Sequence, residues 1–147
     1  MIRKDELSKV LLLLIFFTAF IATFWSLYLS EIMGFIPCKL CWYQRILMYP
    51  MVLISFIGLI RRKYYFSSEL TSVFSLIGII ISSYHSYIQM KPSESSLCGV
   101  DSHCSAILYK FYGMTIPNLA LASFIIIFIL SLIILYTKGE KYDVTSL

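Results

Sequence analysis

Four cysteines stand in two close pairs, Cys38 with Cys41 in a C-x-x-C and Cys98 with Cys104 in a C-x5-C. Thiols three residues apart close a small disulfide. A helix beginning beside them offers unpaired backbone N–H groups that favour a thiolate. The same four residues, with His103, also resemble the two halves of a structural zinc site. A third use is a pair of inert structural disulfides. Attachment of a c-type haem is excluded, because it requires His directly after the second cysteine and Trp42 stands there. Spacing alone leaves redox chemistry, zinc and structural disulfides open.

The elements that must position these thiols are set by composition. The chain is 59% hydrophobic and 16% aromatic with 14% charged residues, and its mean hydropathy is +0.83. An ordinary globular domain carries about a quarter charged residues. A soluble domain of 147 residues has too little interior to hide so much apolar surface, so lipid must solvate most of it. Four apolar segments follow, at residues 10–29, 42–60, 70–90 and 116–136. The second contains Pro50 and spans only if Trp42, Tyr43 and Gln44 begin its helix at the interface. Only helices or closed barrels satisfy the backbone in hydrocarbon. The expected fold is therefore an all-α bundle of four transmembrane helices in a single membrane domain, with loops at 30–41 and 91–115. The first segment is not a signal peptide on this reading, being too long and lacking a small-residue cleavage site at Tyr28-Leu29-Ser30-Glu31-Ile32.

Orientation follows from Lys and Arg near the spans. Arg3, Lys4, Lys9, Arg61, Arg62, Lys63, Lys138 and Lys141 fall on one side, and Lys39, Arg45, Lys91 and Lys110 on the other. Both termini are expected in the cytoplasm. The net charge of +4 then needs no nucleic-acid partner. All four cysteines fall on the far side of the membrane, where disulfides form and persist.

The two pairs are placed differently. Cys38 and Cys41 sit at the top of the second helix, beside lipid. Cys98 and Cys104 sit in the long loop with Pro92, Ser93, Ser95, Ser96 and Gly99, which can reach a protein. A relay between the pairs explains both, and a relay needs an electron sink. The chain has no dinucleotide-binding motif, no haem motif and too few cysteines for an iron–sulfur cluster besides two disulfides. A membrane quinone, which takes two electrons with two protons, suits the chemistry. Arg45, one helical turn after Cys41, is the candidate to support the thiolate and the quinone oxygen. On the third helix Ser75, Gly78, Ser82, His85 and Gln89 form one stripe. Its small residues suit close helix packing, while His85 is a candidate to bind quinone or pass protons.

These residues carry a resemblance. Four spans, the C-x-x-C opening the second, Arg45 four after Cys41, His85 through Gln89 and Pro92 to Cys98, and Tyr112-Gly113-Met114-Thr115-Ile116-Pro117 resemble the DsbB family of quinone-linked disulfide oxidoreductases. The likeness is closer to its short BdbC-type branch. It implies a multi-pass protein of the bacterial cell membrane that reoxidises a thioredoxin-fold thiol oxidase (DsbA- or BdbD-like) and passes electrons to menaquinone or ubiquinone. It implies catalytic roles for Cys38, Cys41, Cys98 and Cys104, with Cys41 the quinone-proximal thiolate, Cys38 its partner, Cys98 attacked by the thiol oxidase and Cys104 the thiol released. Arg45 and His85 become cofactor-binding residues, and no metal is expected. Compared with longer members, the second pair is close together and its loop lacks room for an amphipathic segment. The alternative from another class is a non-enzymatic membrane protein with zinc or structural disulfides in its outer loops. A vitamin-K-epoxide-reductase-like enzyme would place its active pair in the last span, and residues 116–136 contain no cysteine.

Overall fold

A computed structural model describes residues 4–34, 36–90, 110–111 and 114–145. Four long helices run α1 Lys4–Leu27, α2 Lys39–Ile60, α3 Tyr64–Met90 and α4 Ile116–Thr145. A π-helical turn at Tyr28–Ile32 extends α1. Two short strands, β1 Lys110–Phe111 and β2 Met114–Thr115, pair antiparallel just before α4. All four helices are long and apolar enough to cross a membrane. At 1.5 Å per residue, even α2 reaches about 33 Å, against a hydrocarbon core of about 30 Å.

Helices α1, α2 and α3 begin before the segments expected from hydropathy. Backbone hydrogen bonding continues a helix into its polar ends, whereas hydropathy marks only the lipid-facing stretch. For α2 the start has a specific cause. Cys38 is the N-cap in extended backbone, and its sulfur accepts from Cys41 N–H at 3.4 Å. The C-x-x-C spacing thus equals the spacing from N-cap to third helical residue at which a capping side chain meets a backbone donor. The far end of α2 closes with Arg62 at φ 53°, Arg62 N–H donating to Leu59 O and Lys63 N–H to Gly58 O. This paired pattern satisfies helix-end carbonyls and turns the chain directly into α3. Within α2, Pro50 brings no N–H for the carbonyl one turn before it, an interruption that membrane helices tolerate when neighbours pack around it.

Helix α3 lies against α2 and α4, and α1 against α2 and α4. The burial pattern is that of a protein solvated by lipid. Ser67, Ser68, Thr71, Ser75, Gly78, Ser82 and His85 of α3 face inward, while Phe20, Phe24, Leu53, Phe66 and Ile80 are exposed. Lipid tails are as apolar as leucine, so helices associate through small side chains, close packing and interhelical hydrogen bonds. A Cβ on Gly78 would overlap the ring of Phe124, leaving 2.7 Å to its Cγ, so α3 and α4 meet there only because the side chain is absent. Thr71 and Ser131 hydroxyls lie 2.9 Å apart, and Ser86 donates to Asn118 at 2.7 Å, joining the same two helices. An apolar cluster of Leu12, Ile15, Met51, Phe124 and Ile127 fills the centre.

Candidate functional site

The up-and-down connectivity gathers the C-terminal ends of α1 and α3 with the N-terminal ends of α2 and α4. Cys38 and Cys41 sit at that end, on the first turn of α2. Their sulfurs are 3.1 Å apart and both thiols are free, a geometry that closes to a disulfide with about 1 Å of approach. The Cys41 N–H points at Cys38 Sγ, which makes Cys38 the acceptor of the pair. From α3, His85 reaches across until its Nε2 stands 3.6 Å from Cys38 Sγ. The hydrogen bond from the Cys41 thiol holds the Cys38 thiol well below the usual range, against the opposing effect of burial, and His85 lowers it further. These contacts favour a thiolate at Cys38, whereas the resemblance implied one at Cys41.

His85 is 1% exposed, and its second ring nitrogen, Nδ1, lies 3.3 Å from the side-chain nitrogen of Gln44. Below these groups opens a cavity of about 490 Å³ between α1, α2 and α4. Cys41, Gln44, Arg45 and Met48 line it from α2, Ser26 from α1 and Ser123 from α4. Its walls are mostly apolar, with few polar groups, as in a site for a largely apolar ligand.

Arg45 is only 8% exposed. Its Nε donates to Ser26 Oγ and its Nη2 to Ser26 O, both at 2.8 Å. The indole of Trp42 packs beneath the guanidinium, with the centroid 5.8 Å away. Ser26 lies just before the π-helical turn, an irregularity often found at functional sites. Clamped on two nitrogens by Ser26, the guanidinium of Arg45 is held at the cavity wall.

Cys38, Cys41, Arg45 and His85, the candidates from sequence, all lie at this end of the bundle. Arg45 and Cys41 share the cavity wall. His85 does not line the cavity; its ring meets Cys38 and Gln44 instead. Cys98, Cys104 and His103 lie outside the described residues. Gln44 and Ser26 were missed as site residues. Gln44 stands in the same motif as Arg45, one helical turn after Cys41, and that spacing was a usable signal. Nothing local marks Ser26. The sulfurs of Cys38 and Cys41 and one His85 nitrogen all lie within 4.8 Å of one another, close enough that a soft cation could also gather them.

The family described as disulfide bond formation protein DsbB matches residues 8–134. The chain is 42% identical over 144 residues to a probable disulfide formation protein of Oceanobacillus iheyensis, covering 95% of this chain and 98% of that one. It is 44% identical over 132 residues to disulfide bond formation protein C of Bacillus subtilis, covering 85% and 90%. A prophage-derived disulfide bond formation protein B of the same organism is 40% identical over 143 residues, covering 92% and 93%. No solved structure matches the chain. With four spanning helices, a buried dithiol at one end and this likeness along nearly all its length, the chain belongs to the DsbB family of membrane disulfide-forming oxidoreductases.

Proposed function

We propose that the protein reoxidises a thioredoxin-fold thiol oxidase outside the cytoplasm and delivers the electrons to a membrane quinone, so supporting disulfide formation in exported proteins. One observation carries this reading. Cys41 and Arg45 open onto a single apolar cavity from the first turns of α2, while Cys38 faces away toward His85. A thiol pair with one sulfur at a lipid-side cavity and the other at a polar partner is built to pass electrons between two different reagents.

The steps balance as two successive exchanges. A partner thiolate attacks Cys98 in the Cys98–Cys104 disulfide, releasing Cys104, and the second partner thiol resolves the mixed disulfide. The two thiols so formed reduce Cys38–Cys41 in the same way. A quinone supplies the final acceptor, taking the two electrons and two protons that convert the Cys38–Cys41 dithiol back to disulfide. The Arg45 guanidinium would hold its oxygen by a charge-assisted hydrogen bond, and Cys41 would lie nearest it. His85 acts on Cys38, stabilising the thiolate that forms when the disulfide opens. Both termini lie in the cytoplasm on this reading, following the Lys and Arg distribution.

The test is quinone reduction by purified protein supplied with a reduced thioredoxin-fold partner. Wild type should turn over, and Cys38→Ser and Cys41→Ser should not. Turnover by Cys38→Ser would break the relay. A second reading rests on the closeness of Cys38, Cys41 and His85. Stoichiometric zinc in purified protein, with cysteines that never change redox state, would favour a structural metal site over the relay.

A further inference from the structure

We propose that Gln44 is a positioning residue for the thiol pair: its side-chain amide donates to His85 Nδ1 and so fixes the imidazole tautomer that carries its hydrogen on Nε2, the nitrogen facing Cys38. The inference rests on the reading of Cys38 and His85 as redox partners and extends it to a residue outside them.

A neutral imidazole has one donor nitrogen and one acceptor, and the partner of one nitrogen decides the role of the other. His85 is 1% exposed and Gln44 6%, so water does not choose the tautomer. The Gln44 Nε2 atom stands 3.3 Å from Nδ1 and can only donate, which makes Nδ1 the acceptor and puts the hydrogen on Nε2. That hydrogen then points along the 3.6 Å line to Cys38 Sγ. Cys38 thereby receives the Cys41 backbone N–H and the imidazole, with Cys41 Sγ 3.1 Å away. The opposite tautomer would aim a lone pair at a thiolate and repel it.

The geometry also explains why an amide suits the position. Gln44 lines the cavity on one side and meets His85 on the other. A carboxylate there would place a buried charge against an apolar cavity and could only accept, forcing the hydrogen onto Nδ1. Leucine would fill similar space with no preference for either tautomer.

The experiment uses full-length protein with ¹⁵N-labelled histidine in detergent micelles, with the Cys38–Cys41 pair oxidised so that no thiolate selects the tautomer. The chain has two histidines, so a His103→Gln variant assigns the signals. Wild type should show the Nε2–H tautomer at His85, Gln44→Leu a mixture, and Gln44→Glu the Nδ1–H form or imidazolium. Circular dichroism across the variants reports an intact fold. Thiol exchange with glutathione gives the second readout, in a Cys98→Ser/Cys104→Ser background. Losing the tautomer preference leaves about half the molecules without the hydrogen bond, so Gln44→Leu should change the equilibrium constant of the Cys38–Cys41 pair about twofold toward disulfide. The same substitution should do nothing in a His85→Leu background, because the effect passes through the imidazole. An Nδ1–H tautomer in wild type, an unchanged tautomer in Gln44→Leu, or an additive effect in the double variant overturns the proposal. Absence of quinone reduction in wild type would overturn the relay and leave the tautomer result standing.

Discussion

Replacing His85 by Leu tests the thiol site most directly, because it removes both ring nitrogens while keeping an apolar side chain at a fully buried position. The interaction lost is one hydrogen bond to a charged sulfur. Such bonds contribute about 1.5–3 kcal/mol, and the 3.6 Å separation of Nε2 and Sγ argues for the lower figure. A loss of about 1.5 kcal/mol is a rise of about one unit in the Cys38 pKa. For a two-electron couple it also lowers the potential of the Cys38–Cys41 pair by about 30 mV, since the reduced state is the one that holds the thiolate. The sign with pH follows from the lowered thiol. Stabilisation of the reduced fold is fully present above the ordinary thiol value of about 8.5 and is lost as pH falls through the lowered one, so His85→Leu, which raises that value, should shrink the stabilisation and move its loss to higher pH. The assay is equilibration of Cys98→Ser/Cys104→Ser protein with glutathione buffers, followed by acid quench and thiol labelling. Circular dichroism checks the fold. A potential within about 10 mV of wild type, with unchanged Cys38 alkylation against pH, would refute the claim that His85 supports the thiolate.

Further predictions concern the cavity and the packing that shapes it. Ser26→Ala removes one of the two acceptors that clamp Arg45, a loss of about 1 kcal/mol that should raise the quinone KM about fivefold. Arg45→Ala should raise it further, and neither should alter disulfide exchange with the partner; unchanged quinone kinetics in both would return Arg45 to an interfacial anchor. Gly78→Ala places a methyl against the Phe124 ring and should cost about 1–3 kcal/mol, read as a lower melting temperature by circular dichroism. Phe124→Leu should partly restore Gly78→Ala, and a melting temperature unaffected by either change would mean the helices do not meet there.

The residues at which sequence and structure agree and differ share a pattern. That a helix opens beside the C-x-x-C was legible because the motif is local, but its start was expected at 42 and lies at Lys39, so the cap by Cys38 came only from the structure. The small-residue stripe of α3 was legible for the same reason, since helical spacing alone puts Ser75, Gly78, Ser82 and His85 on one face. What that face meets was not legible. His85 was grouped with Arg45 because both lie at similar depth, yet in the bundle the two stand on different sides of the α2 first turn, one toward Cys38 and one toward Ser26. Ser26 carries no sequence mark, being one serine among many in an apolar helix.

By itself the sequence determined four spanning helices, the end of the bundle that bears the thiols, and the thiol spacing, because lipid forces backbone hydrogen bonds to close within each helix and charge lies where water is. The tertiary structure alone decided which side chains complete the site. The rotation and register of one helix against another follow from close packing, such as Gly78 against Phe124, and these are set by contacts far apart in the chain. That packing brings an imidazole from α3 to Cys38, and the meeting of α1 with α2 brings a serine to Arg45, and so makes a thiol pair with two different sides.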